Sequence, residues 1–75
     1  MITAEQFRAA RAALDITTAA VCAAMQMSPA TLVRVEHGID VRMSTLRKLR
    51  AYYEGFGITF TDNGRGVGWQ PVRPG

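Results

Sequence analysis

The segment Ile16–Gly38, ITTAAVCAAMQMSPATLVRVEHG, constrains the fold of this chain more than any other part of it. Its second half opens on Ser28 and Pro29, where the serine can accept a backbone N–H as N-cap and the proline brings a φ already set for a helix. Leu32 and Val35 lie on one face of that helix, and the closing glycine provides a left-handed stop. The pattern predicts a helix of about ten residues with a sharply defined start.

A second short helix precedes it, and either Thr17 or Thr18 can cap its first turn. Its predicted inner face consists of Val21, Ala24 and Met25. Alanines and a cysteine fill the positions between them, which allows a neighbouring helix to approach closely. The segment therefore predicts two short helices packed at a fixed angle.

Two more helices are predicted in the first 55 residues. Thr3 and Gln6 form a capping box, and apolar residues then recur at helical spacing, which predicts helix 1 over about 4–14. Helices 2 and 3 are expected over about 18–25 and 29–37. After a loop, Ser44 is expected to cap helix 4. The residues of helix 4 predicted to face inward are Leu46, Leu49 and Tyr53.

The pattern changes after Gly55 from helical spacing to alternation. Two alternating runs flank the segment DNGRG, which lacks the Lys-Ser/Thr pair and following helix of a phosphate-binding loop and indicates a turn. The apolar residues of these runs are Ile58, Phe60, Val67 and Trp69. They exceed what a two-stranded hairpin needs, so either helices 1 and 4 of the same chain cover them or strands of two chains form a shared sheet. We expect a homodimer with these four residues at the interface.

Composition narrows the classes of function. Seventy-five residues, 48% hydrophobic and 20% charged, are typical of one small globular domain. Cys22 and His37 are the only residues of their types, so no zinc ligand set or Cys–His pair is evident within one chain, and we expect no enzyme, metal or cofactor. The sequence shows neither an export signal nor a membrane-spanning run, which predicts a cytoplasmic protein.

Positive charge is unevenly distributed. Nine Lys and Arg against six Asp and Glu give a net charge of +3. Four of the basic residues fall in a short run without an acid: Arg42, Arg47, Lys48 and Arg50. Such a run can contact phosphates or can be an ordinary solvated helix face.

Together these features resemble the Cro and lambda-repressor-like helix-turn-helix regulators of bacteria and phages, also called the XRE family. The resemblance covers residues 2–55 and rests on FRAARAALDIT, SPATLVRVEHG and STLRKLRAYYEGFGI, with core positions at Val21, Met27, Leu32 and Val35. It implies a mostly α fold, with a compact four-helix lambda-repressor-like helix-turn-helix domain over 1–56. A short two-stranded β tail over 57–75 is the expected dimerisation element, and no separate ligand-binding domain is implied.

The resemblance also implies the DNA-binding residues, since the third helix of such proteins lies in the major groove. These residues are Thr18, Ser28, Pro29, Ala30, Thr31, Arg34, Arg42, Ser44 and Thr45. Arg34 is the candidate base reader because its planar fork can donate two bonds to guanine, and the alternative is a surface arginine paired with an acid. The serine and threonine hydroxyls can hold phosphates, or can serve only as helix caps.

An ion pair between Arg11 and Glu36 is implied as a structural tie between helices 1 and 3, and one-sided loss of such a pair costs about 3–5 kcal/mol. Two positions depart from the family pattern. Gln26 occupies the turn position usually held by glycine, so it must either adopt a left-handed conformation at some cost or alter the turn. Thr18 replaces a glutamine that often grips phosphate, and helix 2 carries no charge, so its exposed face can meet DNA or protein.

The sequence thus predicts a sequence-specific DNA-binding transcriptional regulator, expected to repress as a homodimer on an inverted repeat. The alternative is a protein-interaction module, such as an antitoxin or anti-activator, that uses the same fold. Salt dependence separates them, because contact with phosphates weakens steeply as salt is added whereas apolar association does not.

Overall fold

Four helices followed by a small antiparallel sheet make up the fold in the computed structural model, which describes residues 2–39 and 41–71. The elements are α1 (Ala4–Leu14), α2 (Thr18–Met25), α3 (Pro29–His37), α4 (Met43–Glu54), β1 (Ile58–Phe60) and β2 (Val67–Trp69). The mostly α architecture and the two-stranded tail are therefore as the sequence predicts. Residues 72–75 of the predicted tail lie outside the described residues. None of the helices in the described ranges is long and apolar enough to cross a bilayer.

The first three helices begin at the predicted caps. Thr3 and Gln6 form both bonds of the capping box, at 3.3 and 3.1 Å. Thr17, rather than Thr18, caps α2, its hydroxyl accepting the Ala20 N–H at 3.0 Å. Each start thus coincides with a side chain that accepts a backbone N–H left free by the first turn.

The predicted cap of α4 by Ser44 is wrong. The helix begins at Met43 with Arg42 as N-cap, and no side chain caps it. The N–H groups of Thr45 and Leu46 both donate to the Arg42 carbonyl, at 3.0 and 3.2 Å. Ser44 therefore lies inside the first turn, where its hydroxyl does not perform the capping role that its residue type favours.

One hydrophobic core is shared by the helices and the β tail. Its buried members are Phe7, Ala10, Val21, Cys22, Leu32, Val35, Leu49, Tyr53, Ile58 and Phe60. The ring centroids of Phe7 and Phe60 are 5.6 Å apart, which joins α1 to β1. Ile58 pairs with Trp69 in the sheet and Phe60 with Val67. The buried faces of Ile58 and Phe60 are therefore covered by their own chain.

The predicted inner face of helix 2 is partly wrong. Val21 is buried and Met25 is half-buried, but Ala24 is exposed and Cys22 is buried in its place. The residues of α2 are almost all small or apolar, so the sequence offers no hydrophobic contrast from which the face of the helix can be read.

Gln6 joins the start of α1 to the hairpin. The side chain is fully buried, and its Nε2 donates to the carbonyl oxygens of Thr61 at 2.8 Å and Gly66 at 3.0 Å. Beside it, the Thr3 hydroxyl donates to the Gly64 carbonyl at 2.6 Å. The two residues that cap α1 therefore also hold the β tail against it, and we refer to Thr3 and Gln6 as the clasp.

The ion pair between Arg11 and Glu36 joins α1 to α3, as the sequence predicts. Arg11 donates from Nε to Oε2 at 2.8 Å and from Nη2 to Oε1 at 3.1 Å. The hydrogen bond to Glu36 raises the pKa of the Arg11 guanidinium, against a smaller opposing effect of burial. Arg8 donates to the Glu36 backbone carbonyl, and Arg11 Nη1 reaches the Ile16 carbonyl at 3.3 Å. These bonds fix where α3 lies on α1.

Replacing the core tyrosine by phenylalanine is expected to stabilise the protein. The Tyr53 hydroxyl is buried without a hydrogen-bond partner among the described residues, and burial, reinforced by the Glu36 carboxylate, raises its pKa from 10.0 to about 12. Removing an unsatisfied buried hydroxyl while keeping the ring should raise the free energy of unfolding by about 1 kcal/mol. Urea denaturation of Tyr53→Phe measures this change, with Tyr52→Phe as the matched control.

The same variant has a pH signature. Because the folded state favours the protonated phenol, ionisation of Tyr53 does not change the free energy of unfolding below pH 10. Above pH 10 the unfolded state ionises first, so the free energy of unfolding falls as the pH rises toward about 12. Two pKa units correspond to about 3 kcal/mol. Tyr53→Phe should lose less stability than the parent over that interval, and parallel stability curves for the two proteins would contradict the assignment.

Candidate nucleic-acid interface

A three-residue connection joins α2 to α3. Gln26 has φ 52° and ψ 48°, the left-handed conformation that the sequence predicts there. The Met27 N–H donates to the Cys22 carbonyl at 2.9 Å and the side chain of Met27 packs against the core, after which Ser28 caps α3. The two helices are thus held close together by a tight turn, and Gln26 accepts a backbone conformation that glycine adopts at lower cost.

α3 has one buried face and one exposed face. Leu32 and Val35 are buried, whereas Ala30, Val33 and Arg34 are exposed. Val33 is 52% exposed despite being large and apolar. An exposed face that carries a methyl-rich stretch and an arginine can contact both thymine methyl groups and guanine edges.

The hydroxyls at the start of α3 bond to each other and to the backbone. Ser28 Oγ accepts the Thr31 N–H at 3.3 Å and lies 2.9 Å from Thr31 Oγ1. Pro29 occupies the first turn and is exposed. Ser28 therefore has the capping role. Pro29 has no N–H, and the N–H groups of Thr31 and Leu32 donate to Ser28, so within this first turn the Ala30 N–H is the group that can still meet an acceptor.

A small cleft of about 190 Å³ brings two of the predicted arginines together. Thr31 and Arg34 line it from α3, and Val41 and Arg42 line it from the segment before α4. Among residues 2–39 and 41–71, no acidic side chain lines the cleft, and neither Arg34 nor Arg42 forms an ion pair. Two guanidinium groups and a hydroxyl side chain thus border one cleft beside the exposed face of α3, a combination suited to phosphate or base oxygens.

The N-terminus of α4 adjoins this cleft. Its N-cap is Arg42, and no side chain caps the first turn. Ser44 is exposed and Thr45 is half-buried. The electrostatic potential is therefore positive at this point. The helix dipole, the free N–H groups of the first turn and the Arg42 charge all contribute to it.

α2 presents a different surface. Thr18 is its first residue and is exposed, while Thr17 provides the cap. The remaining exposed residues are the alanines Ala19, Ala20, Ala23 and Ala24. Residues 18–25 carry no charge. Their one hydroxyl group is that of Thr18, and it is exposed.

The predicted basic run is divided between two surfaces. Arg42 lies with Arg34, whereas Arg47 and Arg50 line a separate cleft along α4. Arg50 also donates to Glu54 at 3.1 Å. Sequence proximity thus overstates the size of the basic patch next to α3.

The residues expected at a dimer interface are unequally accessible. Ile58 and Phe60 are buried in their own chain, and Val67 is half-buried. Trp69 is 46% exposed, and its Nε1 donates to the carbonyl of Phe56, itself 44% exposed, at 3.1 Å. Of the four residues, Trp69 therefore has the most accessible side chain. Phe56, just before the tail, is a second exposed aromatic residue close to it.

Two contributions to the candidate site were not predicted. Val41 lines the cleft between the two arginines, and no local pattern in the sequence marks it. The second is the clasp. The sequence identifies Gln6 as a capping residue, but it gives no local signal for the hydrogen bonds from Gln6 to the hairpin. Over the two described ranges, no three His, Cys, Asp or Glu side chains come together as metal ligands.

Comparison with models of protein families, with characterised proteins and with solved structures found no match.

Proposed function

We propose that this protein is a sequence-specific DNA-binding transcriptional regulator that represses by occupying an inverted repeat as a homodimer. One observation carries the proposal. Thr31, Arg34 and Arg42 line a cleft to which the described residues contribute no acidic side chain, next to the exposed face of a short helix that Ser28 and Pro29 start. Paired arginines beside an accessible helix suit a polyanion whose bases can be reached from a groove.

The arrangement of α2 and α3 supports a helix-turn-helix unit of the lambda-repressor type. The two helices are short, consecutive and in contact, and the turn between them spans Gln26 to Ser28. In such a unit the second helix enters the major groove while the first crosses the backbone. α3 is then the recognition helix, and the ion pair from α1 sets its position.

Each candidate residue has a role in this proposal. Arg34 reads guanine through two N–H donors, and Ala30 and the Thr31 methyl contact thymine methyl groups. Phosphates are held by the remaining residues, which lie at helix starts or before α4: Thr18, Ser28, Pro29, Arg42, Ser44 and Thr45. Base contacts give specificity, and the phosphate contacts set the register of α3 on the duplex.

The proposed homodimer uses the outer side of the tail. Phe56 and Trp69 are both large, aromatic and close to half exposed, and they adjoin half-buried Val67. Aromatic side chains are enriched at protein interfaces because they bury much area with few rotatable bonds. A two-fold axis near this pair matches the symmetry of an inverted repeat.

Selection of bound duplexes from a random pool tests the proposal most directly. We expect recovery of an inverted repeat with half-sites about one helical turn apart, or a multiple of it. Such a result reports DNA recognition, symmetry and spacing together. Recovery of no enriched sequence, with binding that is unchanged between low and high salt, would refute DNA recognition.

Two arginine variants should differ in kind. Arg34→Ala is expected to flatten the preference at one base position by about 1–3 kcal/mol, because it removes a bidentate base contact. Arg42→Ala should weaken all sequences alike and reduce the slope of log affinity against log salt by about one. Titration of selected and scrambled duplexes measures both, and the matched control is Arg65→Ala in the exposed hairpin turn. Equal effects of the Arg34 and Arg65 changes would contradict the docking of α3.

A protein-interaction module is the second candidate, and the uncharged face of α2 favours it. Four exposed alanines and no charge from Thr18 to Met25 form a surface that lacks the usual polar grip on phosphate. An antitoxin or anti-activator would bury this face against a partner. Ala20→Glu and Ala23→Glu distinguish the two, because added negative charge weakens DNA binding progressively with falling salt but blocks an apolar contact at any salt.

A further inference from the structure

A groove of about 360 Å³ runs along α4 on a surface that the proposed DNA contacts do not use. Its lining consists of Ile2, Met43, Leu46, Arg47 and Arg50, which we call the α4 groove. Met43 is 62% exposed, a large fraction for an apolar side chain of this size. Among the described residues, the groove therefore combines an apolar floor with two cationic side chains and has no acidic lining residue.

The apolar lining continues into a second cleft. That cleft, of about 380 Å³, shares Ile2 and Leu46 with the α4 groove and reaches Phe7, Val35 and Ile39. Each volume falls within the about 300–1,000 Å³ typical of small-ligand sites, which have apolar walls and a few polar groups. The shape thus suits an elongated apolar group that enters beside the arginines.

The two arginines of the α4 groove favour a ligand with an anionic head group. Arg50 uses Nε to bond Glu54 at 3.1 Å, which leaves its terminal N–H donors available. Arg47 forms no ion pair in the described ranges. A guanidinium fork matches the geometry of carboxylates and phosphates, and of these two anions the singly charged carboxylate is the one that costs less to bring beside an apolar floor.

The same charges disfavour a second copy of the chain as the occupant. A two-fold contact through the α4 groove would place Arg47 and Arg50 of one copy near those of the other. Glu54 pairs with Arg50, but in the described ranges Arg47 has no ion-pair partner to offset the repulsion. A folded protein partner is also disfavoured, because stable interfaces bury about 1,200–2,000 Å² and Met43 is the one large apolar residue of the groove that is mostly exposed.

We propose that the α4 groove binds a small aliphatic carboxylate, with its hydrocarbon chain along Ile2, Met43 and Leu46 and its carboxylate at Arg47 and Arg50. This site is separate from the cleft of Arg34 and Arg42 and does not depend on DNA binding. The protein would then bind a small acid within the same four-helix fold that carries the proposed DNA contacts.

Titration of the full chain with octanoate, followed by amide chemical shifts, tests the proposal. We expect saturable shifts confined to the residues of the α4 groove and its adjoining cleft. Octanol, which keeps the chain but lacks the charge, should bind about fivefold more weakly, since exposed ion pairs have at most about that effect. Butyrate, which keeps the charge but lacks four methylenes, should bind at least about tenfold more weakly.

Variants locate the site. Arg47→Gln should weaken octanoate binding about fivefold, and Met43→Ser by about five- to tenfold. The matched controls are Arg65→Gln, an exposed arginine on the hairpin, and Val33→Ser, an exposed apolar residue on α3, and both should bind octanoate as the parent does. Circular dichroism confirms that each variant is folded.

Four results would overturn the proposal. They are absence of saturation by octanoate, equal binding of octanol and octanoate, shifts centred on another surface such as Phe56 and Trp69, and equal affinity of Met43→Ser and the parent. Shifts at the groove that depend on protein concentration without octanoate would assign the surface to a second copy, and binding of an acidic helical peptide without octanoate binding would assign it to a protein partner.

Discussion

Arg11→Met is expected to lower the free energy of unfolding by about 3–5 kcal/mol at neutral pH. The carboxylate of Glu36 is 8% exposed, and Arg11 provides both of its side-chain hydrogen bonds, at 2.8 and 3.1 Å. Removing the arginine leaves a buried charge without a counter-charge, which costs about 3–5 kcal/mol. Small domains are stable by about 5–15 kcal/mol in total, and one of this size has little to spare.

The reverse substitution should be milder. Arg11 is 27% exposed, so when Glu36→Met removes the carboxylate the guanidinium can turn toward water. We expect a loss of about 1–3 kcal/mol, the cost of unmade hydrogen bonds rather than of a stranded charge. The double variant, with methionine at both positions, should recover most of the stability, because apolar packing often replaces a buried ion pair at no net cost.

Chemical denaturation of the two single variants and the double variant measures this asymmetry. Arg8→Met is the matched control, since it removes an exposed arginine from the same helix that reaches only the backbone carbonyl of Glu36. Greater destabilisation by Glu36→Met than by Arg11→Met would contradict the argument from burial. The result also matters for tests of the proposed DNA binding, because a destabilised variant loses affinity much as a variant that lacks a proposed base contact would.

Gln6→Glu is expected to release the β tail from α1, at a cost of about 3–5 kcal/mol at pH 7. Glutamate is as good as glutamine in a capping box, so local rules treat this change as neutral. The position is fully buried, however, and Nε2 donates to two backbone carbonyls, at 2.8 and 3.0 Å. A carboxylate there would face two oxygens that it cannot bond.

The effect should depend on pH in a defined direction. Burial beside carbonyl oxygens raises the pKa of a glutamate above its usual value of about 4.3, so the folded variant binds more protons than the unfolded one. Its stability relative to the parent therefore rises as the pH falls, since the protonated acid can donate one of the lost bonds. Thermal unfolding between pH 4 and 8, together with Trp69 fluorescence as a report on the tail, measures both effects.

Gln70→Glu provides the control, because it makes the same chemical change at an exposed position. We expect it to alter stability by less than about 0.5 kcal/mol at any pH in this range, as is usual for surface substitutions. Equal stability of Gln6→Glu and Gln70→Glu would show that the clasp does not hold the tail.

Local signals were sufficient to predict α1, α2 and α3, whose bounds coincide with those expected. Each start carries a side chain that accepts an N–H, and α3 also has Pro29 as its first residue and Gly38 directly after its last. The start of α4 was predicted wrongly because Ser44 is the best capping residue nearby, whereas the helix gains two more residues, Met43 and Ser44, by using the Arg42 carbonyl. A local rule ranks caps by residue type and does not weigh that alternative.

What sequence reasoning missed depends on contacts between distant residues. The clasp needs a hairpin to arrive beside Gln6, and the cleft of Arg34 and Arg42 needs the segment before α4 to fold back on α3. The burial of Ile58 and Phe60 is similar, since alternation identifies an apolar face but not the surface that covers it. The division of the basic run is likewise set by helix geometry: Arg47 and Arg50 line a face of α4 with Met43, away from Arg42.

The clasp also orders events during synthesis. Gln6 is translated 55 residues before Thr61, which carries its carbonyl acceptor. A nascent chain can form its helices from local signals, while the buried amide of Gln6 has no partner until the hairpin has been translated. Because closing such a long loop is entropically costly, its pairing should come late. α1 is thus completed by two strands that are translated after all four helices.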